Sequence, residues 1–265
     1  MSELQTKTIA DFGEQWTRYP GGEGFFGSVE LFNDIFAPLL SAKDVAGKRV
    51  AEIGAGQGRF INIFAAAGAA HLVALEPSEA MRVLRENTRA YADRITYLDV
   101  TGDRLPPTGD LDYVFVIGVL HHIPDPAPVV AAARRALKPG GTLAVWLYGR
   151  EGNSLYLFVV HSLRAFTRRI PHRALELFVA ALYPAFWAYM TACRWLPLPL
   201  AAYMRRVIAP LTPAKRRLVI YDQLNPAYAK YYTREEAHDV LARNGFSDVR
   251  LHHRHGYSWS VVGTA

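Results

Sequence analysis

Cysteine is almost missing from this 265-residue chain. The single Cys193 excludes a disulfide framework and any cysteine-rich metal site, and such usage suits a reducing cytoplasm. Acids are scarce in one stretch. Residues 150–220 hold 11 Arg or Lys against 2 acids, a local +9, whereas the remainder holds 19 against 22, or −3, which together give the net +6. No basic-then-apolar leader opens the sequence, so nothing points to export, and no internal repeat or low-complexity tract is visible. An uncharged run of 17 residues, Leu177 to Cys193, sits at the lower edge of a membrane span, but Pro184 interrupts it. It reads as a buried or interfacial helix.

Apolar residues, at 51%, are ample for one large or two small domains. From Lys48 onward, short apolar runs alternate with helical segments. "KRVAEI" ends in glycines, "RFINIFAAAG" is a helix closed by Gly68, and "HLVALE" is a second strand. "PSEAMRVLRENTRAYA" then turns Val83 and Leu84 inward before "RITYLD". "LDYVFVIG" and "GTLAVWLYG" follow, separated by a helix from about Ala127 to Leu137 and the breaker "KPGG". The alternation predicts a doubly wound parallel α/β sheet with ligands at the carboxyl ends of its strands. Glu52, the loop Gly54 to Gly58, Glu76, Asp99 and the turn Gly118 to Asp125 then share one rim.

The rim chemistry discriminates between nucleotides. "VAEIGAGQGRF" resembles a phosphate-cradling turn, yet Glu52 would repel a pyrophosphate. The dinucleotide spacing also fails, because the sixth place counted from Gly54 is Arg59. S-adenosylmethionine (SAM) has no phosphate and carries a sulfonium and an ammonium. At ~4 Å and an effective dielectric of about 20, an acid attracts such a charge by about 4 kcal/mol before desolvation is subtracted. Glu76, 18 residues past Gly58, can accept both ribose hydroxyls. Asp99 is placed to accept from an adenine amino group and the Val100 amide to donate to a ring nitrogen, or Asp99 caps the turn with Thr101.

The pieces "AEIGAGQGRF", "LEPSEAM", "LDV", "LDYVFVIGVLHHIPDP", "ARRALKPGGTLAVWLYG" and "YTREEAHDVLARNGFSDVRL" resemble the class I SAM-dependent methyltransferases. They follow that family's order and spacing across residues 48–149 and 231–263. The resemblance implies a Rossmann-like seven-stranded sheet whose last strand, "YSWSVVG" at 257–263, runs antiparallel beside "FSDVRLHH". It implies SAM contacts by Glu52, Gly54, Ala55, Gly56, Gly58, Glu76, Pro77, Asp99, Val100, Gly118 and Val119, with S-adenosylhomocysteine as product. Gln15, Trp16 and Tyr19 resemble a lid that closes over SAM. The chain then divides into lid helices (1–44), SAM-binding core (45–151), helical cap (152–226) and a helix and two strands completing the core (227–265).

Transfer of a methyl group needs a base only where the acceptor must lose a proton. His122 is the first candidate and His121 the second; alternatively a histidine here fixes the turn before Pro124. The cap reads as three or four helices over the rim, enclosing a small-molecule acceptor that is apolar or lipid-like, such as a quinone or polyketide. Tyr228, Tyr231 and Tyr232 line the acceptor mouth or pack the cap onto the core. The basic cap either touches anionic headgroups at the inner membrane face or is a solvated face over an apolar stripe that pairs two copies. A pI of about 9.4 keeps nucleic-acid methylation as an alternative. Against it, no Asn/Asp-Pro-Pro-aromatic motif follows the fourth strand, "NPAY" at 225 is misplaced, and Cys193 lies in the cap, so no nucleic-acid partner is expected. A non-catalytic SAM-binding protein is the reading from another class. No metal site is expected, since strand alternation splits "HHRHGY" between two faces.

Overall fold

The computed structural model describes residues 3–22, 24–167, 170–224 and 228–265. Strands β1 (Arg49–Ile53), β2 (His71–Leu75), β3 (Ile95–Leu98), β4 (Leu111–Ile117), β5 (Leu137–Tyr148), β6 (Ser247–Arg254) and β7 (Ser258–Thr264) form one sheet in the order β3-β2-β1-β4-β5-β7-β6. The first five are parallel; β7 slots antiparallel between β5 and β6. The expected doubly wound, seven-stranded Rossmann-like sheet is therefore present, with "YSWSVVG" beside "FSDVRLHH".

Helices α1 (Glu3–Arg18) and α2 (Val29–Phe36) precede the sheet, and α3 (Arg59–Ala66), α4 (Ala80–Asn87) and α5 (Ala127–Ala136) are its crossovers. Both faces are covered, as a parallel sheet requires. On one face Phe115 of β4 stacks on Phe64 of α3 at 4.6 Å, and Phe32 of α2 meets it edge-on at 5.6 Å. On the other, Val114 and Val116 pack with Val129 and Val130 of α5. Local signals set the helix ends: Ser28 Oγ accepts from the Leu31 amide at 3.1 Å, and Thr233 and Glu236 form a capping box at the start of α10 (Arg234–Ala242).

"KPGG" does not end an element as expected. Leu137 pairs with Leu111 and Thr142 with Tyr113, so Lys138–Gly141 bulges out of a continuous β5. Hydrogen bonds with Ala265 make this tolerable: the Gly140 amide donates to the Ala265 carbonyl (3.1 Å) and the Ala265 amide to the Gly141 carbonyl (2.9 Å).

Between β5 and α10 lie α6 (Ser154–Thr167), α7 (His172–Ala192), α8 (Ala201–Tyr203) running into a π-helical turn (Met204–Ile208), and α9 (Pro213–Leu224). Leu175 and Val179 hold α7 against Tyr221 and Leu224 of α9. The run read as a buried or interfacial helix is not buried: only 17% of the most apolar 18-residue stretch of α7 is covered. Leu177 is 74% exposed and Trp195, just past the helix, 84%. Its outward stripe has no cover among the described residues, because Leu175 and Val179 use the inward face.

Strand order reverses between β1, which pairs with β2, and β4, its other neighbour. A crevice opens at such a point. Glu52 and Gly118 end the two strands beside it.

Candidate active site

At the carboxyl end of β1 the chain turns on glycines. The Gly54 and Ala55 amides both donate to the Leu75 carbonyl, at 2.9 and 2.8 Å, which folds the loop against the end of β2. A side chain on Gly54 (φ +74°) would put Cβ 2.4 Å from Val119 Cγ2; one on Gly56 (φ +54°) would press on the Trp16 indole nitrogen at 3.1 Å. Glycine here lets the β4 turn and α1 close onto the loop. Glu76, at the end of β2, ties the parts together: its Oε2 accepts from the Gly56 amide (2.8 Å) and its Oε1 from the Ser78 amide (3.1 Å) and hydroxyl (2.5 Å).

A cavity of about 240 Å³ lies above. Glu52, Gly54, Ala55, Gly56, Glu76, Pro77, Gly118, Val119 and His122 line it from the core, and Gln15 and Trp16 from α1. Other candidates lie outside the lining. Gly58, the N-cap of α3, faces Leu84 and Thr88. Asp99 is exposed and Val100 packs against the core; the residues that follow, Thr101 and Gly102, form the wall instead. Tyr19 packs against Tyr221, ring centres 6.1 Å apart. His121 is fully buried and stacks on Tyr148 at 3.8 Å.

Tyr228, Tyr231 and Tyr232, expected either to line the acceptor mouth or to pack the cap onto the core, lie outside the cavity lining. Tyr231 stacks on Tyr148 at 5.3 Å, the Tyr232 amide donates to the Tyr148 carbonyl at 2.8 Å, and the Tyr228 carbonyl takes the His122 ring. Tyr148, Tyr203 and Tyr257 line the cavity in their place. Arg59, Trp146, Asp222 and Arg254 also reach it. Arg59 directly follows the glycine loop and Tyr148 ends the fifth strand, so both were within reach of a rim argument. Asp222 and Arg254 carry no local signal.

Burial is the main electrostatic cause throughout. It raises the Glu52 carboxyl well above its ordinary value, the Arg59 charge opposing and Glu76 adding to the rise. Glu52 is 1% exposed, and its Oε2 has no hydrogen-bond partner. Burial also lowers Arg59 to about 10 against the pull of Glu52. His122 falls to about 4, again from burial, with the Tyr228 carbonyl and Asp222 resisting. Its Nδ1 lies 2.8 Å from that carbonyl, which can only accept, so Nδ1 carries the proton and Nε2 the lone pair. Arg254 donates twice to Asp34 Oδ2, at 2.8 and 2.6 Å, and His255 meets Oδ1 at 2.7 Å.

A methyltransferase-domain family model matches residues 51–145. A ubiquinone biosynthesis O-methyltransferase of Aromatoleum aromaticum is 31% identical over 171 residues, 63% of this chain and 71% of that protein. The chain belongs to the class I SAM-dependent methyltransferases. The ubiquinone biosynthesis O-methyltransferase of Methylococcus capsulatus is 28% identical over 166 residues, 62% of this methyltransferase and 70% of that one. Human N-acetylserotonin methyltransferase, solved in complex with SAM, superimposes with a TM-score of 0.56 at 14% identity, over 99% of this chain and 59% of its own. A SAM-dependent methyltransferase of Mesorhizobium loti gives 0.50 at 18% identity, over 83% and 92%. At these identities the structures establish the shared fold.

Proposed function

We propose that this methyltransferase binds SAM in the rim cavity and methylates a hydroxyl of a small, largely apolar acceptor. The observation that carries the reading is Glu52, a buried carboxyl with an unpartnered oxygen, set beside Arg59. A zwitterionic amino-acid tail answers both: its ammonium donates to the Glu52 oxygen and its carboxylate faces Arg59. A pyrophosphate could pair with Arg59 but has no hydrogen to give the Glu52 oxygen. In this reading Glu76 takes the ribose, the Gly54–Gly56 backbone and Pro77 the nucleoside, Gly118 and Val119 the far wall, and Gln15 and Trp16 the roof, a reading supported by their all lining one cavity. Asp99 and Val100 precede Thr101 of the lining in the chain.

Bound SAM would supply an electrophilic methyl group and leave as S-adenosylhomocysteine. His122, held neutral by burial with its Nε2 lone pair free of the proton, takes the hydroxyl proton as the oxygen attacks. The rest of the site positions the reactants and excludes water. Phe12, Trp146, Val207, Leu211 and Leu218 make the acceptor side apolar. That lining, with the curated relatives named for ubiquinone biosynthesis, supports a quinone-type acceptor.

The exposed stripe of α7, with Leu177 and Trp187 outward and Arg173 and Arg194 flanking it, supports peripheral contact with an anionic bilayer. Co-sedimentation with anionic vesicles that weakens with salt is expected; none at any salt removes this part. Isothermal calorimetry tests the central reading. Heat is expected with S-adenosylhomocysteine and none with NADH, and the reverse overturns it.

A further inference from the structure

Asp222 belongs to α9, in the cap, and lines the cavity on the acceptor side with Gln223 and His122. Both its oxygens are already engaged, by two distant parts of the chain. Gln15 Nε2 of α1 donates to Oδ1 at 3.0 Å, and the Tyr148 hydroxyl of β5 donates to Oδ2 at 3.1 Å. The direction of the second bond is fixed from behind. Gln223 Nε2, which can only donate, lies 2.9 Å from the Tyr148 oxygen, so the tyrosine spends its one hydrogen on Asp222. Gln223 Oε1 in turn accepts from the Tyr156 hydroxyl at 2.5 Å. The donors therefore run one way, Tyr156 to Gln223 to Tyr148 to Asp222, and such a chain polarises each successive bond.

A carboxylate offers about four lone-pair positions. The two not used by Gln15 and Tyr148 can take only hydrogens. His122 Nε2 is likewise a hydrogen acceptor, since its proton sits on Nδ1. Two acceptors lining one cavity call for two hydrogens, and a lone hydroxyl has one. Arg59, His122, Tyr148, Tyr203, Tyr231 and Tyr257 are the titratable groups that feel the Asp222 charge. Of these, Tyr148 turns its hydrogen to Asp222, and among the described residues no other of them donates to the carboxylate.

Resting on the hydroxyl-methylating reading above, we propose that Asp222 is a specificity-determining residue: it takes the hydrogen of a second donor on the acceptor, separate from the hydroxyl facing His122. The site then selects molecules with two hydrogen-bond donors on an otherwise apolar frame. It disfavours those with one donor, which leave the carboxylate without a partner on that side, and those with an anionic group there, which it repels.

The test compares 4-nitrocatechol with 4-nitrophenol, followed by their absorbance on binding to the protein saturated with S-adenosylhomocysteine. Wild type should bind the catechol about 10- to 100-fold more tightly, the span of a hydrogen bond to a charged group. Asp222→Asn should erase the preference while S-adenosylhomocysteine binding stays within about threefold. Tyr148→Phe, which removes one support of the carboxylate, should narrow the preference and serves where Asp222→Asn does not fold. A wild type that binds both phenols equally, or neither, overturns the proposal, as does a preference that survives in both variants. Failure to bind S-adenosylhomocysteine at all would instead overturn the cofactor reading.

Discussion

The floor of the cavity and its roof are built on different principles. The floor, from β1, β2 and β4, consists of residues within a few places of a strand end. Hydrogen bonds such as Gly56 amide to Glu76 Oε2 span only 20 residues of chain. The roof, from α1 and the cap, is assembled over long separations: Gln15 reaches Asp222 across 207 residues. The floor places buried groups without partners, Glu52 above all, where a ligand can satisfy them. The roof ties its polar groups to one another, as at Gln15 and Asp222, and turns apolar side chains both to the cavity, as at Val207 and Leu218, and to solvent, as at Leu177 and Trp195. On the proposed reading, cofactor chemistry concentrates in the part held by sheet hydrogen bonds, and acceptor selectivity in the part held by side chains.

The sharpest break in this contrast is His122→Gln. If His122 is the base proposed above, its loss lowers turnover about 10²- to 10⁴-fold with S-adenosylhomocysteine affinity unchanged, read by single-turnover methyl transfer against calorimetry. Unaltered turnover would return His122 to a purely structural part in the turn.

A smaller effect concerns acid stability. The folded chain keeps His122 neutral down to about pH 4, whereas the unfolded chain titrates near 6.5, so between these values the unfolded state binds more protons. Stability therefore rises with pH across that window and is lost as pH falls. The His122 share at pH 5 is roughly 2 kcal/mol. Burial raises Glu52 and Glu76, which act in the opposite sense. The difference in urea midpoints between wild type and His122→Gln, at pH 7 and pH 5, isolates the histidine. Equal shifts in both proteins would refute its burial in neutral form.

The smallest effect belongs to the outer roof. Leu177→Ser and Trp195→Ser should change stability by no more than about 0.5 kcal/mol in chemical denaturation, because neither side chain is buried. A much larger loss would mean that the stripe is covered, by a second copy or otherwise.

Legibility in the sequence follows the same division. Glu52, Gly54, Gly56, Glu76 and His122 were readable because a strand end, a glycine turn and a carboxyl rim are local patterns. Gly58 was read with them, yet its turn faces α4. Asp99, expected at the adenine, is exposed outside the lining, and Thr101 just after it forms the wall. The tyrosines at 228, 231 and 232 could not be sorted in advance from Tyr148, Tyr203 and Tyr257, because composition does not say which ring packs and which lines.

The sequence by itself determined the alternation of strands and helices, the acid beside the glycine turn and the basic, apolar insertion, all of which depend on neighbours in the chain. Only the tertiary structure decided that Asp222 and Arg254 enter the cavity and that one stripe of α7 stays outside. Those placements depend on how helices pack across the sheet, an outcome of many distant contacts that no short stretch of residues encodes.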